Sequence, residues 1–226
     1  RVADESLSEL ALDPGVAAVW CTELGGQLER LVRTLYLQDD AIGVAASEVA
    51  FGVEGGSWPA LRVPAPAGSE AVFVGGRVDL VEAIAGGRRV LDLKSGSAQS
   101  LDERLRDARR LETSLQLPVY AAAVHEHEGG EIDAGFLSLR DGVPTRTLGD
   151  LVEKSRGTVP KPSRADVLAV RDGEGRATAL AARIHVLARD VSLGNRAVRP
   201  AAGACARCGL QVLCRVVAGT EAEGDT

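Results

Sequence analysis

Apolar and polar positions follow two different periods along the chain, and the changes of period mark its elements. Between residues 14 and 37 apolar side chains recur at helical spacing, which predicts an amphipathic helix: Val16, Val19, Trp20, Leu24, Leu28, Leu31, Val32 and Leu35. Strand-like runs follow at residues 46–53 and 71–85, and Gly86–Gly87 then mark a tight turn before another run at 88–93. The pattern predicts a β-hairpin over the last two runs.

The next part of the chain places two helices before a further strand. Residues 101–112 predict a polar helix and residues 115–125 a more apolar one, in whose first turn Pro118 is tolerated. A strand is predicted at 131–139, and a long helix at 165–191 with a weak point at residues 172–175. This order of elements predicts an α/β (α+β) fold in which helices flank a mixed central sheet.

Length and composition bound the organisation of the chain. Its 226 residues, 45% of them apolar, are enough for one domain with a solid core, for which we expect residues 46–200. Residues 1–45 form an N-terminal helical segment in this scheme, and residues 201–226 a cysteine motif with a tail. The chain begins with Arg1 and contains no Met, so we expect it to be a piece of a longer polypeptide. The sequence shows neither a signal peptide nor a membrane-spanning apolar run, which favours a cytoplasmic protein.

Two acidic residues and a lysine are the first candidate chemistry. Asp79 lies in GGRVDLV, and Asp92 and Lys94 lie in VLDLKSG, where residues two apart share one face of a strand. If the hairpin forms as predicted, the two carboxylates converge, and with the Leu93 carbonyl they offer oxygen ligands suited to Mg²⁺ or Mn²⁺. A metal there would activate water for attack on a phosphate, and Lys94 would orient the water or neutralise charge. An Asp–Lys ion pair at a strand end is the structural alternative.

The basic residues of the chain help to decide between a metal site and an Asp–Lys ion pair. The formal net charge of −6 does not by itself indicate a nucleic-acid-binding protein. Only three of the 26 basic residues are lysines, and one of them is Lys94. Lysine is a compact ammonium whose pKa shifts readily on burial, whereas arginine stays charged. A lysine retained at this position in an arginine-rich chain favours a chemical role.

Cysteines supply a second candidate site. Cys205, Cys208 and Cys214 form a C-x2-C-x5-C motif in CARCGLQVLCR. Three thiolates within ten residues indicate an iron–sulfur cluster or zinc, although zinc usually requires two separated pairs. Nothing in the sequence indicates secretion, so disulfides are disfavoured.

Together these motifs resemble those of the RecB-like branch of the PD-(D/E)XK nucleases. Gln116 and Tyr120 in LQLPVYAAA stand four apart on one helical face, and they complete the ordered set after GGRVDLV and VLDLKSG. The resemblance implies that both approach the active site and the DNA strand. Glu48, on the strand before the hairpin, matches a position where the family often has a glutamate; a supporting role beside the metal and an exposed strand residue are both compatible with it.

The cysteine motif is similar to that of AddB-type helicase–nucleases. There, three late cysteines and an early one hold a [4Fe–4S] cluster, which nominates Cys21 here, the only early cysteine. The family's early cysteine precedes a helix that bears a metal-binding histidine. This chain has only His125, His127 and His185, all of which follow the D-x-K motif, so the family's cysteine and histidine either lie upstream of this chain or are lacking.

The resemblance implies a Mg²⁺-dependent deoxyribonuclease, expected to be an exonuclease that processes DNA ends during double-strand-break repair. Arg106, Arg109 and Arg110 are candidates for phosphate contacts, with a solvated charged helix as the alternative. The chain lacks a phosphate-binding G-x-x-x-x-G-K-[ST] loop, so helicase activity would reside elsewhere in the polypeptide or in a partner subunit. The rival functions are a non-catalytic DNA-binding or structural module and a stand-alone iron–sulfur nuclease of prokaryotic adaptive immunity.

Overall fold

The computed structural model describes residues 13–36, 43–65, 70–111, 114–153 and 163–194. The motif cysteines Cys205, Cys208 and Cys214 therefore lie outside the described residues. By its contacts the chain divides into two units, residues 1–185 and 186–226, and the sheet and the candidate site belong to the first. No helix in the described part of the chain combines the length and apolar character that crossing a membrane requires.

Along the described residues one helix is followed by five strands, then by two helices, two strands and three helices. The helices are α1 Pro14–Tyr36, α2 Ala98–Arg109, α3 Gln116–Glu128, α4 Leu148–Glu153, α5 Arg164–Leu168 and α6 Ala179–Ser192. The strands are β1 Gly43–Phe51, β2 Leu61–Val63, β3 Val72–Val74, β4 Gly76–Ile84, β5 Gly87–Lys94, β6 Glu131–Ser138 and β7 Val143–Pro144. Five strands form one sheet in the order β1-β4-β5-β6-β7, and β2 pairs with β3 in a separate ribbon.

The β4–β5 hairpin lies at the centre of the sheet. The strands pair antiparallel with Leu80 opposite Leu91, and Gly86 in the turn has a φ of 83° that an L side chain rarely adopts. Strand β6 then pairs parallel to β5, so the chain must cross over between them, and helices α2 and α3 make that crossover. The predicted mixed sheet flanked by helices is confirmed.

The sheet buries apolar side chains in two clusters. The larger cluster joins the sheet to the crossover helices through residues such as Phe51, Val81, Val90, Phe136, Leu105 and Leu117. A smaller cluster contains Leu80, Leu91 and Leu137, with Leu31 of α1 packed against it. Val90 and Leu91 are neighbours on β5, so their side chains point to opposite faces of the sheet. Val90 belongs to the larger cluster and Leu91 to the smaller one, so the two clusters lie on opposite faces.

The sequence prediction was wrong where it drew one strand over residues 71–85. The run is broken at Gly75, and its two parts, β3 and β4, belong to different sheets. The backbone of Gly75 lies so close to that of Gly52 that an added Cβ would stand 2.9 Å from the Gly52 carbonyl oxygen. Two backbones can approach so closely only where the residue is glycine. This contact at Gly75 separates the end of β3 from the start of β4.

The long helix predicted at residues 165–191 is divided in two, and the division includes the weak point predicted at residues 172–175. Helices α5 and α6 occupy its two ends, and a turn held by Asp172 separates them. The Asp172 carboxylate accepts hydrogen bonds from the backbone amides of Glu174 and Arg176, at 3.0 and 2.8 Å. Aspartate favours turns by such side-chain bonds, which compete with the helical ladder. The short elements β2, β7 and α4 were not predicted.

Candidate functional site

The two predicted aspartates lie together at one end of the β4–β5 hairpin. Extending the register from Leu80 opposite Leu91 by one residue places Asp79 opposite Asp92. The Asp79 Oδ2 atom accepts a hydrogen bond from the Leu93 backbone amide at 2.8 Å, and the Asp79 side chain contacts that of Asp92. The hairpin alone therefore brings two carboxylates to one point.

Asp92 is a fully buried carboxylate that is only partly compensated. Its side chain is 0% exposed, and its Oδ2 atom lies 2.6 Å from the Nζ atom of Lys94, which is 26% exposed. The Oδ1 atom is buried and accepts no hydrogen bond from the described residues. Leaving a buried acceptor unsatisfied costs about 1–3 kcal/mol, and more for a charged group. The site thus holds an oxygen for which the described protein supplies no donor.

Burial sets the protonation of this site. Desolvation raises the pKa of Asp92 above its ordinary 3.8, because the charged form loses its hydration. The Lys94 ammonium opposes this rise, whereas the neighbouring Asp79 carboxylate adds to it. The net direction is upward, so Asp92 binds a proton more readily than an isolated aspartate does.

The strand next to the aspartates departs from regular geometry at Glu48. This residue has a φ of 52°, which is uncommon for a non-glycine residue. Its carboxylate is 66% exposed and lies 3.4 Å from the Nη1 atom of Arg77. Glu48 thus stands beside the hairpin as predicted, and it forms an ion pair there with Arg77.

Gln116 and Tyr120 share one face of α3 and bond to each other, since the Gln116 Nε2 atom donates to the Tyr120 hydroxyl at 3.2 Å. The Tyr120 ring meets the Phe51 ring edge-on with centroids 6.2 Å apart. A Cβ added at Gly76 would stand 3.2 Å from the Tyr120 ring. The tyrosine is therefore held at the start of β4, three residues before Asp79.

The arginines of α2 fall into different environments. Arg106 and Arg110 are exposed, whereas the half-buried Arg109 donates to the Leu151 carbonyl at 3.0 Å and so ties α2 to α4. Arg104 was not among the arginines predicted to contact phosphate, and its guanidinium lies 5.6 Å from the centroid of the Phe136 ring. Phe136 is the register partner of Asp92 on β6, so Arg104 lies over the strand that neighbours β5. Its spacing in RLRDARR could not distinguish it from its neighbours.

The histidines do not join the carboxylates. His127 stacks on Trp58 with ring centroids 4.9 Å apart, His125 bonds the Gly130 carbonyl, and His185 bonds the Pro64 carbonyl. Within the described residues no group of three or more His, Cys, Asp or Glu side chains is arranged to hold a metal ion. Cys21 is half-buried on α1.

Comparison with known proteins gives one result that bears on this geometry. The family model of the PD-(D/E)XK nuclease superfamily matches residues 1–215, which is nearly the whole chain. A search of curated proteins found no match. The family match spans the hairpin with both aspartates and Lys94, and it also runs through the three late cysteines.

Proposed function

Since the chain belongs to the PD-(D/E)XK nuclease superfamily, we propose that it is a nuclease that hydrolyses phosphodiester bonds of DNA with the help of Mg²⁺ or Mn²⁺. The observation that carries the proposal is the contact between Asp79 and Asp92 beside the Lys94 ammonium. A superfamily fold can persist without activity, but these three side chains together form the chemistry-bearing part of the site.

The residues present fit a divalent cation. Asp79 and Asp92 supply carboxylate oxygens, the ligands that Mg²⁺ and Mn²⁺ prefer, and the Leu93 carbonyl is the third oxygen ligand in this proposal. The buried Asp92 Oδ1 atom, which has no donor among the described residues, gains a partner if a cation binds there. A bound cation would polarise the phosphate and lower the pKa of the attacking water.

The protein side chains then have separate tasks. The Lys94 ammonium lies next to Asp92, where it can neutralise the negative charge that develops on the phosphate. The negative charges of Asp79 and Asp92 would repel a DNA phosphate. The positive charge of Lys94 is therefore needed for the phosphate to approach them. Gln116 and Tyr120, which bond to each other at the start of β4, position the DNA strand in this proposal. Glu48 supports the site indirectly, through its ion pair with Arg77.

The proposal is tested by degradation of DNA in the presence of Mg²⁺ and in the presence of a chelator. We expect activity with Mg²⁺ that the chelator abolishes, and we expect Asp92→Ala to lack activity while still binding DNA. Undiminished nuclease activity of Asp92→Ala would show that these carboxylates are not the catalytic site. Binding without any activity in the wild type would support the non-catalytic alternative instead.

The finer proposal is an exonuclease that processes DNA ends as one domain of a helicase–nuclease. The ordered motifs and the superfamily match support the nuclease part, and comparison of linear with covalently closed circular DNA tests the rest. An exonuclease degrades only the linear form. Equal rates on both substrates would indicate an endonuclease.

A [4Fe–4S] cluster held by Cys205, Cys208, Cys214 and Cys21 belongs to the same proposal. Its support is the C-x2-C-x5-C spacing within the matched range. Protein purified without oxygen should absorb at wavelengths of about 400 nm and contain iron and sulfide, and Cys208→Ser should lose both. Retention of the absorbance by Cys21→Ser, with unchanged iron content, would remove Cys21 from the ligand set.

A further inference from the structure

Arg104 of α2 has an exposed guanidinium group whose hydrogen-bond donors are unused within the described residues. Its Cζ atom lies 5.6 Å from the centroid of the Phe136 ring. Such a cation–π contact is an attraction between the charge and the ring, and it requires no N–H donor. A guanidinium group presents five donors in a planar fork. Arg104 is therefore held by the ring while its donors stay available to a ligand.

The ring under Arg104 stands next to Asp92. Strands β5 and β6 pair in parallel over their whole length, and their register sets Phe136 beside Asp92. Phe136 belongs to the larger apolar cluster together with Val90, which precedes Asp92 by two residues and so shares its face of the sheet. Lys94 follows Asp92 by two residues and lies on that face as well. Arg104 thus covers the face of the sheet from which the candidate catalytic side chains project.

Other contacts of α2 show which way the Arg104 side of the helix points. Asp102 accepts a hydrogen bond from Arg146 at 2.7 Å, and Arg109 donates to the Leu151 carbonyl at 3.0 Å. Both partners follow β7, the strand on the far side of β6 from β5. With 3.6 residues per turn, Arg104 stands about 140–160° around the helix from Asp102 and Arg109. Its side of α2 therefore points toward β5, the strand of the candidate site.

The charge of Arg104 is not cancelled by a carboxylate in the described part of the chain. Asp102 is paired on the opposite side of the helix, and the exposed Glu103 forms no ion pair with a described residue. The two aspartates of the hairpin face the Lys94 ammonium and, in the proposed function, a divalent cation. Arg104 is accordingly a positive charge that an anion can bind.

We infer that Arg104 binds a phosphate of the DNA strand close to the scissile phosphate, and that the Phe136 ring holds the guanidinium in place for this contact. The inference rests on the proposed function, because the scissile phosphate beside Lys94 is its reference point. Guanidinium groups match phosphate oxygens in geometry as well as in charge. Neighbouring strands are about 4.8 Å apart, and successive phosphates of one DNA strand are about 3.4 Å or more apart. Arg104 therefore reaches a phosphate within about three nucleotides of the scissile one.

The test measures binding of a short fluorescent single-stranded oligonucleotide by the full chain in a chelator, which prevents metal-dependent cleavage. Arg104→Ala should weaken binding up to about tenfold at about 50 mM salt and lower the salt slope of log affinity by about 0.7, the value for one phosphate contact on a single strand. Arg106→Ala is the matched control, because Arg106 is exposed on the same helix but stands about 200° around it from Arg104. It removes the same charge, and its salt slope should equal that of the wild type.

Arg104→Lys separates phosphate binding from packing on the Phe136 ring. Lysine keeps the charge, so the salt slope should return to the wild-type value, whereas the affinity should recover only in part because the forked donors are lost. Altered Tm values for Arg104→Ala and Arg104→Lys, with salt slopes equal to that of the wild type, would show a purely structural contact and overturn the inference.

Oligonucleotides that carry one neutral methylphosphonate each locate the phosphate. The position at which Arg104→Ala causes no further loss of affinity is the one that Arg104 contacts. We expect it within about three nucleotides of the bond that the wild type cleaves in Mg²⁺, and a more distant position would overturn the placement. Cleavage with an unchanged slope for Arg104→Ala would refute this inference and leave the proposed nuclease function intact. The expected slopes in a chain that cleaves no DNA would refute the function and leave Arg104 a phosphate contact.

Discussion

Asp92→Asn removes a negative charge from a fully buried position while nearly conserving the shape of the side chain. Because the pKa of Asp92 is raised in the folded protein, the folded state binds this proton more tightly than the unfolded state does. The wild type therefore loses stability as the pH rises from 3.8 to the raised pKa, and it gains none back above that pH. The Asn variant lacks this loss, so in a chelator it should be more stable than the wild type at neutral pH.

The size of the effect follows from the charge at the buried Asp92 Oδ1 atom, which no described residue satisfies, because asparagine keeps a polar atom there but loses the charge. Leaving a buried polar group unsatisfied costs about 1–3 kcal/mol and more when it is charged, so we take about 1–3 kcal/mol as the difference between the two side chains. For a domain of this size, about 1 kcal/mol corresponds to roughly 2–4 °C in Tm, so the variant should gain roughly 2–12 °C. A cation bound with a Kd of about 1 mM and supplied at about 10 mM should stabilise the wild type by about 1.4 kcal/mol.

Thermal unfolding between about pH 4 and pH 9, with chelator and with Mg²⁺, measures both effects. Glu82→Gln is the matched control, because Glu82 is also 0% exposed and lies on the same hairpin, but it pairs with Arg89 at 2.7 Å. The control should be less stable than the wild type and should still respond to Mg²⁺.

Three results would refute the reasoning. The Asn variant could be less stable than the wild type at neutral pH in chelator, which would mean that the Lys94 ion pair stabilises the fold by more than burial of the charge destabilises it. The stability difference could be the same at about pH 4 as at neutral pH, which would exclude the raised pKa as its origin. Mg²⁺ could stabilise both proteins equally, which would place any cation elsewhere.

Other changes around the site have defined outcomes. Lys94→Gln should lower kcat by about 10²–10³-fold, since it removes a charge that stabilises the transition state, and DNA binding in Ca²⁺ should change far less. Gly76→Ala should reduce the cleavage rate with a modest loss in Tm, because the new Cβ lies 3.0–3.2 Å from the rings of Phe51 and Tyr120. Tyr120→Phe removes the hydroxyl that accepts the Gln116 bond, so it should raise KM for DNA while leaving Mg²⁺-induced stabilisation unchanged in a melting assay.

The hairpin and its aspartates could be predicted because local sequence determines them. Gly86 fixes the turn, and the short turn fixes the register of the two arms, so the positions of Asp79 and Asp92 follow from counting outward from the turn. The pairing of Gln116 with Tyr120 was predictable in the same way, since helical spacing alone places them on one face.

Features that depend on distant contacts could not be read from the sequence. The break at Gly75 results from its contact with the Gly52 backbone, whereas the valines and phenylalanine before it favour strands. Arg104 and Arg109 stand five residues apart on one helix, yet the first lies over the Phe136 ring and the second bonds the Leu151 carbonyl. Only the packing of α2 against other elements assigns them different surroundings.

The two buried carboxylates of the hairpin show what separates a structural charge from a site. Each has an oxygen without a donor among the described residues, but their charges are matched differently. Glu82 faces Arg89, whose guanidinium donates to its Oε2 atom, so one negative charge meets one positive charge. Asp92 faces both Lys94 and the carboxylate of Asp79, so the group carries two negative charges and one positive. Such a group is balanced only by a proton or a cation. The same strand pair thus holds one ion pair that stabilises the fold and one incomplete group that stabilises it only when a further positive charge binds.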